Sequence, residues 1–150
     1  MTGRAICYLM LACCLVGGIL SAVSLRNHYS TSATGYCDLS ATFNCDFVNR
    51  STFSEFRGVP VALVGLLGYL LLLVLSAQES RWVTVLRFAA AIIGLGFALY
   101  LAYIEAYVLA VWCLLCIGSL AMISAVTMLS GVALWHTRKM EPEAEANAGK

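Results

Sequence analysis

Cysteines are the residues of this sequence whose types and spacing point most directly to chemistry. The chain contains seven of them among 150 residues. Cys113 and Cys116 form a C-x-x-C motif, and Cys37 and Cys45 are eight residues apart. A thiolate is the nucleophile of thiol-disulfide exchange, so two such pairs can pass electrons between them. The other three lie in a long apolar stretch, where cysteine behaves as a small hydrophobic residue. They are Cys7, Cys13 and Cys14.

Metal binding is the competing chemistry for the two cysteine pairs, because four thiolates can hold a zinc ion. The spacing between Cys37 and Cys45 is wider than zinc ligands usually have, and no histidine accompanies either pair. We therefore expect no metal site. A disulfide that only staples a loop is the structural alternative for Cys37 and Cys45.

Four long, charge-poor stretches must position these cysteines. The chain is 61% hydrophobic and only 11% charged, whereas soluble domains are about a quarter charged. A bilayer core about 30 Å thick needs about 20 apolar residues in a helix, and backbone polar groups in lipid must pair internally. We predict an all-α integral membrane protein built as a bundle of four transmembrane helices. Their predicted bounds are near 5–25, 59–77, 83–104 and 108–135.

The distribution of Lys and Arg sets the predicted orientation. With four spans, six of the nine basic residues lie on the same side of the membrane as both termini, and the other three lie on the opposite side. The six are Arg4, Arg81, Arg87, Arg138, Lys139 and Lys150. Because basic loops stay in the cytoplasm, we expect both termini there and residues 26–58 outside. Both cysteine pairs then lie on the extracytoplasmic side of the inner (plasma) membrane, where disulfides persist.

Residues 26–58 form the long polar stretch and are predicted to face outwards, between helices 1 and 2. Within this loop, residues 46–56 are expected to form a short helix at the membrane surface. Gly58 and Pro60 would end it and start the next span. We expect residues 1–138 to form one domain and 139–150 a disordered cytoplasmic tail. A signal peptide is the alternative for the first span, but its apolar run is longer than the usual 7–15 residues.

The sequence resembles the vitamin K epoxide reductase family, specifically its bacterial branch without a fused thioredoxin domain. The shared features are Cys-x7-Cys at 37–45, Ser51 six residues after the second cysteine, Gly58-Val59-Pro60, and Trp-Cys-Leu-Leu-Cys at 112–116. With the four-span spacing, the resemblance covers most of the chain up to about residue 135. Bacterial disulfide oxidases that recharge periplasmic thiol oxidases have the opposite order, with their C-x-x-C pair first.

The resemblance implies a four-helix bundle in which the extracytoplasmic loop at 26–58 forms a cap between helices 1 and 2. It also implies a membrane thiol:quinone oxidoreductase that generates disulfides. Cys37 would exchange with a thioredoxin-fold extracytoplasmic partner. Cys45 would attack a Cys113–Cys116 disulfide and form a mixed disulfide with Cys113, which frees Cys116 beside the quinone. Ser51 matches a serine or threonine that helps to hold the site in the family. A helix cap is its ordinary structural alternative.

The quinone itself is expected to be of the ubiquinone, menaquinone or vitamin K type. Candidate contacts are Phe43, Phe47, Trp112 and Leu120, and the two phenylalanines are equally suited to anchor the loop in the membrane. Animal members of the family carry a tyrosine at the position of Leu120 and an asparagine near the start of the second span. This sequence has neither, which implies electron transfer to a respiratory quinone rather than reduction of an epoxide.

Two further function classes remain open at this point. A tetraspan membrane scaffold would need only a structural loop disulfide. A small transporter or metal carrier would usually place ionisable residues inside the bundle, and almost none are available. We expect Glu105, near the outer end of the third span, to lie at the membrane interface. The sequence contains no run of basic residues that would indicate a nucleic-acid partner. The expected partners are the lipid bilayer, the quinone and the thioredoxin-fold extracytoplasmic protein.

Overall fold

Helices make up most of the chain in the computed structural model, which describes residues 3–30, 37, 42–78 and 80–148. The helices are α1 (Gly3–Tyr29), α2 (Cys45–Asn49), α3 (Val61–Ser76), α4 (Arg81–Ile104) and α5 (Leu114–Ala148). Three segments are long and apolar enough to cross a membrane, namely Arg4–Tyr29, Arg81–Leu109 and Leu114–Thr137. The apolar helix α3 is shorter, with 16 residues. The architecture is that of an all-α membrane protein.

The four longer helices pack in a ring, in which α1 and α4 each contact both α3 and α5. Each of them contributes to the core between them, which consists of Cys14, Tyr69, Leu72, Ala91, Ile123 and Val126. The outward faces carry large apolar side chains that are more than half exposed, such as Ile19, Leu67, Ile93 and Met128. Apolar residues on the outside of a helical ring suit a hydrocarbon solvent rather than water.

Glycines allow close approach of the helices at some positions and not at others. A side chain at Gly65 would meet Ser21 Oγ at 3.1 Å, and one at Gly94 would meet Ile123 Cδ1 at 3.3 Å. At Gly68 and Gly96 nothing lies within 4 Å. The tightest position is Gly17, where an added Cβ would overlap the ring of Tyr69. The ring of Tyr69 therefore fills the space that a glycine in α1 leaves open.

The segment between α1 and α3 differs from the predicted surface helix over 46–56. Only Cys45–Asn49 is α-helical, and a 3₁₀ turn at Thr52–Ser54 follows it. Four of the five α2 residues are buried, because this helix packs on α1 rather than lying exposed. Parts of the predicted cap, residues 31–36 and 38–41, lie outside the described residues.

A two-residue hairpin connects this segment to α3. Strands β1 (Glu55–Phe56) and β2 (Val59–Pro60) are antiparallel, with Glu55 opposite Pro60. The turn residues Arg57 and Gly58 both have positive φ, at 54° and 80°. Tight hairpins prefer this combination, because its twist matches that of the strands. Pro60, with φ −59°, is the N-cap of α3, as the sequence predicts for the start of this span.

The end of α4 and the start of α5 also differ from the predicted bounds. Helix α4 continues as a π-helical turn over Glu105–Leu109, and Ala110 is left-handed with φ 53°. Helix α5 begins at Leu114 instead of near residue 108. It runs through residues 139–148, where a disordered tail is predicted. This segment is rich in Ala and Glu, which favour helix. The domain boundary at residue 138 stays a prediction.

Candidate active site

The Cys37–Cys45 pair is closed as a disulfide, with the two Cα atoms 5.5 Å apart. Both cysteines are buried. Cys45 is the first residue of α2, whose N-cap is Asn44. The side-chain oxygen of Asn44 accepts a hydrogen bond from the backbone N–H of Phe47 at 2.7 Å. This cap fixes the helix start, and with it the position of the Cys45 sulfur.

Cys113 and Cys116 are both free thiols at the beginning of α5. Cys113 immediately precedes the helix, and its carbonyl accepts the N–H of Ile117 at 3.0 Å. Cys116 lies in the first turn. The sequence analysis places both cysteines within one helix, whereas the structure has only Cys116 inside it. Cys113 is fully buried, and Cys116 is partly exposed.

A backbone connection between the loop and the start of α5 brings the two cysteine pairs together. Phe43 and Trp112 form a parallel β-bridge. The N–H of Asn44 donates to the carbonyl of Trp112 at 3.1 Å, and the N–H of Trp112 donates to that of Thr42 at 2.8 Å. Cys45 and Cys113 follow directly on the two bridged segments. They belong to one buried cluster, which contains Cys37, Cys45, Val48 and Cys113, with Cys116 packed against it.

Glu105 is a functional candidate whose surroundings the sequence analysis does not predict. It lies near the end of α4, as expected, but it is buried within the protein and only 3% exposed. Its Oε2 accepts a hydrogen bond from the backbone N–H of Cys113 at 3.0 Å. A carboxylate oxygen of Glu105 and the sulfurs of Cys113 and Cys116 all lie within 4.8 Å of one another. The available signal was its isolation, because it is the only charged residue between Arg87 and Arg138.

The same three side chains form a group that could hold a metal ion. Structural zinc sites have four protein ligands, and catalytic ones have three plus an open position. The four cysteine thiols considered above as zinc ligands are not all available in this state, because Cys37 and Cys45 are joined in a disulfide. What the geometry brings together is therefore a dithiol, a disulfide and one carboxylate.

A cavity of about 530 Å³ lies beside the dithiol and has a mostly apolar wall. Its volume is in the range of sites that bind small organic molecules. Polar groups in the wall come from all parts of the site, and they include His28, Ser51, Tyr69, Glu105, Cys116 and Ser119. Cys113 does not appear among the described residues of this wall. Cys116 is thus the cysteine of the C-x-x-C motif that faces the cavity.

The predicted quinone contacts lie elsewhere. None of the four, Phe43, Phe47, Trp112 and Leu120, is among the described residues that line this cavity. Phe43 and Trp112 instead join the loop to α5 through their backbones. Phe47 is 54% exposed, and Leu120 packs against the helical core. Phe53, another aromatic residue of the segment between α1 and α3, is in the wall of the cavity.

Ser51 lies at the cavity, as a supporting residue should, but it is not a side-chain cap. It precedes the 3₁₀ turn without a capping hydrogen bond. Its hydroxyl donates to the carbonyl of Val48 at 2.8 Å, and its own carbonyl accepts from the hydroxyl of Ser54 at 2.7 Å. These bonds hold the chain that leads from α2 to the hairpin.

A polar network that the sequence analysis misses fastens α2 to the end of α1. The hydroxyl of Ser24 donates to Oδ1 of Asn49 at 2.6 Å. Nδ1 of His28 is 2.6 Å from the carbonyl oxygen of Asn49, and its Nε2 is 3.2 Å from Oε1 of Glu55. Ser24 and Asn49 are buried, so their hydrogen bond is shielded from competing water. The loop is therefore attached at both ends of α2.

Comparison with known proteins identifies the same family that the motifs resemble. The model of the vitamin K epoxide reductase family matches residues 8–131. Vitamin K epoxide reductase complex subunit 1 of Rattus norvegicus is 25% identical over 139 residues, which span 81% of this chain and 86% of that protein. The family match includes both cysteine pairs.

Proposed function

This chain belongs to the vitamin K epoxide reductase family, and on that premise we propose that it forms disulfides in a partner protein and passes the electrons to a quinone. The general activity of the family is membrane thiol-disulfide oxidoreduction coupled to a quinone. The observation that carries the assignment to this chain is the shared buried cluster of Cys37, Cys45 and Cys113, with Cys116 packed against it.

In the proposed arrangement, four transmembrane helices form a bundle with the loop as its extracytoplasmic cap. Helix α3 supports this reading because it packs between α1 and α4. Its 16 residues reach about 24 Å at 1.5 Å per residue, so the bilayer would thin locally or its flanks would reach the interface. We propose that both termini are cytoplasmic and that the active site faces outwards from the inner membrane. The division into a domain at 1–138 and a tail belongs to the same proposal.

The first steps of the proposed relay are two thiol-disulfide exchanges. A thiolate of a thioredoxin-fold partner attacks Cys37 of the Cys37–Cys45 disulfide and releases Cys45 as a thiolate. A second partner thiol then completes the partner's own disulfide and leaves Cys37 reduced. The Cys45 thiolate attacks Cys113 of a Cys113–Cys116 disulfide, which gives a mixed disulfide and releases Cys116. The backbone bridge between Phe43 and Trp112 supports this pairing, because it holds the segments of Cys45 and Cys113 side by side.

Closing the Cys37–Cys45 disulfide again then leaves Cys113 and Cys116 as a dithiol, which is the state of both pairs in the structure. A quinone supplies the oxidant, since it accepts two electrons and two protons. The cavity of about 530 Å³ fits such a group, because it is apolar, adjoins Cys116 and contains a few polar groups. Phe43, Phe47, Trp112 and Leu120 stay sequence-based candidates for contacts with it, and Ser51 for support of the site.

The test is disulfide trapping in a single variant, together with turnover. Purified wild-type protein should oxidise a thioredoxin-fold dithiol with a soluble quinone as acceptor. Cys116→Ala should lose this activity, because Cys113 has no second thiol with which to form a disulfide. The Cys113 thiol should instead attack Cys45 of the Cys37–Cys45 disulfide, so that Cys37 is released as a thiol and a Cys45–Cys113 disulfide accumulates. Cys13→Ala, a substitution in α1 far from the cluster in sequence, is the control and should behave like the wild type.

Retention of full activity by Cys116→Ala would reject the assigned site. Non-reducing peptide mapping that never finds Cys45 joined to Cys113 would reject the order of the relay. If all four cysteines can be replaced without an effect on partner oxidation, the protein is a scaffold with a structural loop disulfide.

A further inference from the structure

A single buried carboxyl group next to the dithiol is the feature that the relay leaves unused. Glu105 is the only charged residue in the fifty positions between Arg87 and Arg138. Burying a carboxylate costs free energy unless its charge is paired or hydrogen-bonded. Its carboxylate accepts a hydrogen bond from an uncharged N–H, that of Cys113. A glutamine could accept the same bond at a lower cost, so positioning Cys113 does not by itself require an acid.

The backbone around Glu105 is shaped so that its side chain reaches the dithiol. The π-helical turn at Glu105–Leu109 widens the end of α4, and the left-handed Ala110 reverses the chain. The carbonyl of Glu105 accepts the N–H of Val111 at 3.2 Å. This return places Cys113 above the carboxylate, and π turns of this kind are frequent at functional sites. The same side chain and Cys116 share the cavity wall.

Electrostatics limits how these groups can ionise. A carboxylate oxygen and two sulfurs within 4.8 Å of one another, in a buried site, cannot all carry negative charge without strong repulsion. The favoured states have one negative charge, either on Glu105 with Cys116 as a thiol, or on Cys116 with Glu105 protonated. Such groups titrate as a coupled unit. Moving one proton between the two residues interconverts these states without moving net charge into the protein.

We propose that Glu105 is the general base that takes the proton from the Cys116 thiol. The electron pair of the S–H bond stays on the sulfur, and the proton goes to a carboxylate oxygen of Glu105. When the Cys113–Cys116 disulfide forms, the dithiol loses two electrons to the quinone. Its two protons go to the two quinone oxygens, and Glu105 carries one of them. This role rests on the proposed function, since it requires the dithiol to be oxidised in each cycle.

The test compares Glu105→Gln with Glu105→Asp in the full-length protein. Glutamine keeps the acceptor for the Cys113 N–H but cannot take a proton. Aspartate keeps the carboxylate on a shorter side chain. Turnover with a dithiol partner and a quinone should fall by about 100-fold or more for Glu105→Gln, the usual contribution of a general base. Glu105→Asp should recover at least about a tenth of the wild-type rate.

The second readout uses reduced protein without quinone and measures alkylation of Cys116 against pH by peptide mapping in the presence of a chelator. Removing the carboxylate removes its repulsion of the thiolate. Cys116 in Glu105→Gln should therefore react at lower pH than in the wild type, while Glu105→Asp should follow the wild-type curve. Slow turnover combined with a more reactive thiol is a result that a merely structural role of Glu105 would not produce.

Two outcomes would overturn the role of Glu105: turnover of Glu105→Gln within threefold of the wild type, or an alkylation curve that the substitution leaves in place. If Glu105→Gln fails to form the Cys37–Cys45 disulfide and so does not fold, Glu105→Asp decides. Turnover of Glu105→Asp below about a tenth of the wild-type rate, or an alkylation curve shifted from that of the wild type, then overturns the role of Glu105. Failure of the proposed function is distinguishable. In that case the wild type itself does not oxidise the partner, whereas the alkylation comparison still reports whether Glu105 and Cys116 share a charge.

Discussion

The contact between Gly17 of α1 and Tyr69 of α3 leads to a sharp prediction, because the neighbouring glycine makes no such contact. A Cβ at Gly17 would overlap Cε1 and Cζ of the Tyr69 ring, and it would lie 2.8 Å from Cδ1. At Gly18 the nearest atom to an added Cβ is Tyr69 Cβ, at an ordinary 3.8 Å. We expect Gly17→Ala to destabilise the protein and Gly18→Ala not to do so.

The magnitude follows from what the ring of Tyr69 would have to give up. The residue is 5% exposed, and its hydroxyl donates to the carbonyl of Ser119 at 2.7 Å. Overpacking costs about 1–3 kcal/mol, and a ring displaced from this hydrogen bond loses about 1 kcal/mol more. Both alanines gain about 1 kcal/mol of helix propensity over glycine, which cancels between the variants. Gly17→Ala should therefore be about 2–4 kcal/mol less stable than Gly18→Ala.

The assay is reversible unfolding in mixed micelles, followed by far-ultraviolet circular dichroism. Alkylation of Cys14 gives a second probe of the same transition, because this core cysteine is 2% exposed and becomes accessible on unfolding. A difference of 2–4 kcal/mol corresponds to a ratio of unfolding constants of about 30 to several hundred. The two probes should report the same midpoint if the helices unfold together.

A rescue variant separates steric overlap from other effects of the substitution. Tyr69→Leu removes the part of the ring that an alanine at Gly17 would meet. The destabilisation by Gly17→Ala should shrink to near zero in this background, which a double-mutant cycle measures as coupling energy. Equal stability of the Gly17→Ala and Gly18→Ala variants, within about 0.5 kcal/mol, would refute the packing of Tyr69 on α1.

Two further predictions concern the attachment of the loop. Ser24→Ala removes the donor to the buried Asn49 Oδ1 and should cost about 1–3 kcal/mol; limited proteolysis should then cut the segment between α1 and α3 faster, and an unchanged rate would contradict the tether. Asn44→Ala removes the acceptor for the Phe47 N–H and should cost about 1 kcal/mol, measured by thermal unfolding, whereas Asn44→Ser or Asn44→Asp should keep most of the stability.

The sequence predicts the helices well because membrane insertion depends on composition over a short window. Three long apolar segments correspond to predicted spans, and the majority of their ends lie within a few residues of the predicted bounds. The family assignment also follows from local patterns, namely the spacing of the cysteines and the residues around them, and the family match confirms it. The position of Pro60 similarly predicts where α3 begins.

The site depends on contacts between distant parts of the chain, and these the sequence does not reveal. The hydrogen bond from the Trp112 N–H to the Thr42 carbonyl joins residues that are 70 positions apart. Neither a threonine nor a tryptophan at these positions indicates that such a backbone bond forms. Phe43 and Trp112 were predicted to contact the quinone because they are aromatic. In the structure their two segments are joined by backbone hydrogen bonds, which carry no signal of residue type.

The sequence by itself determined the membrane class, the order of the cysteine pairs and the family, because each is a property of neighbouring residues or of average hydropathy. Only the tertiary structure decided that Gly17 receives Tyr69 and that Glu105 is buried beside the dithiol. The physical reason is that the burial of a side chain, and its electrostatic interaction with other groups, depend on residues of other helices that pack against it. For Glu105, the left-handed turn at Ala110 brings the start of α5 back over the end of α4.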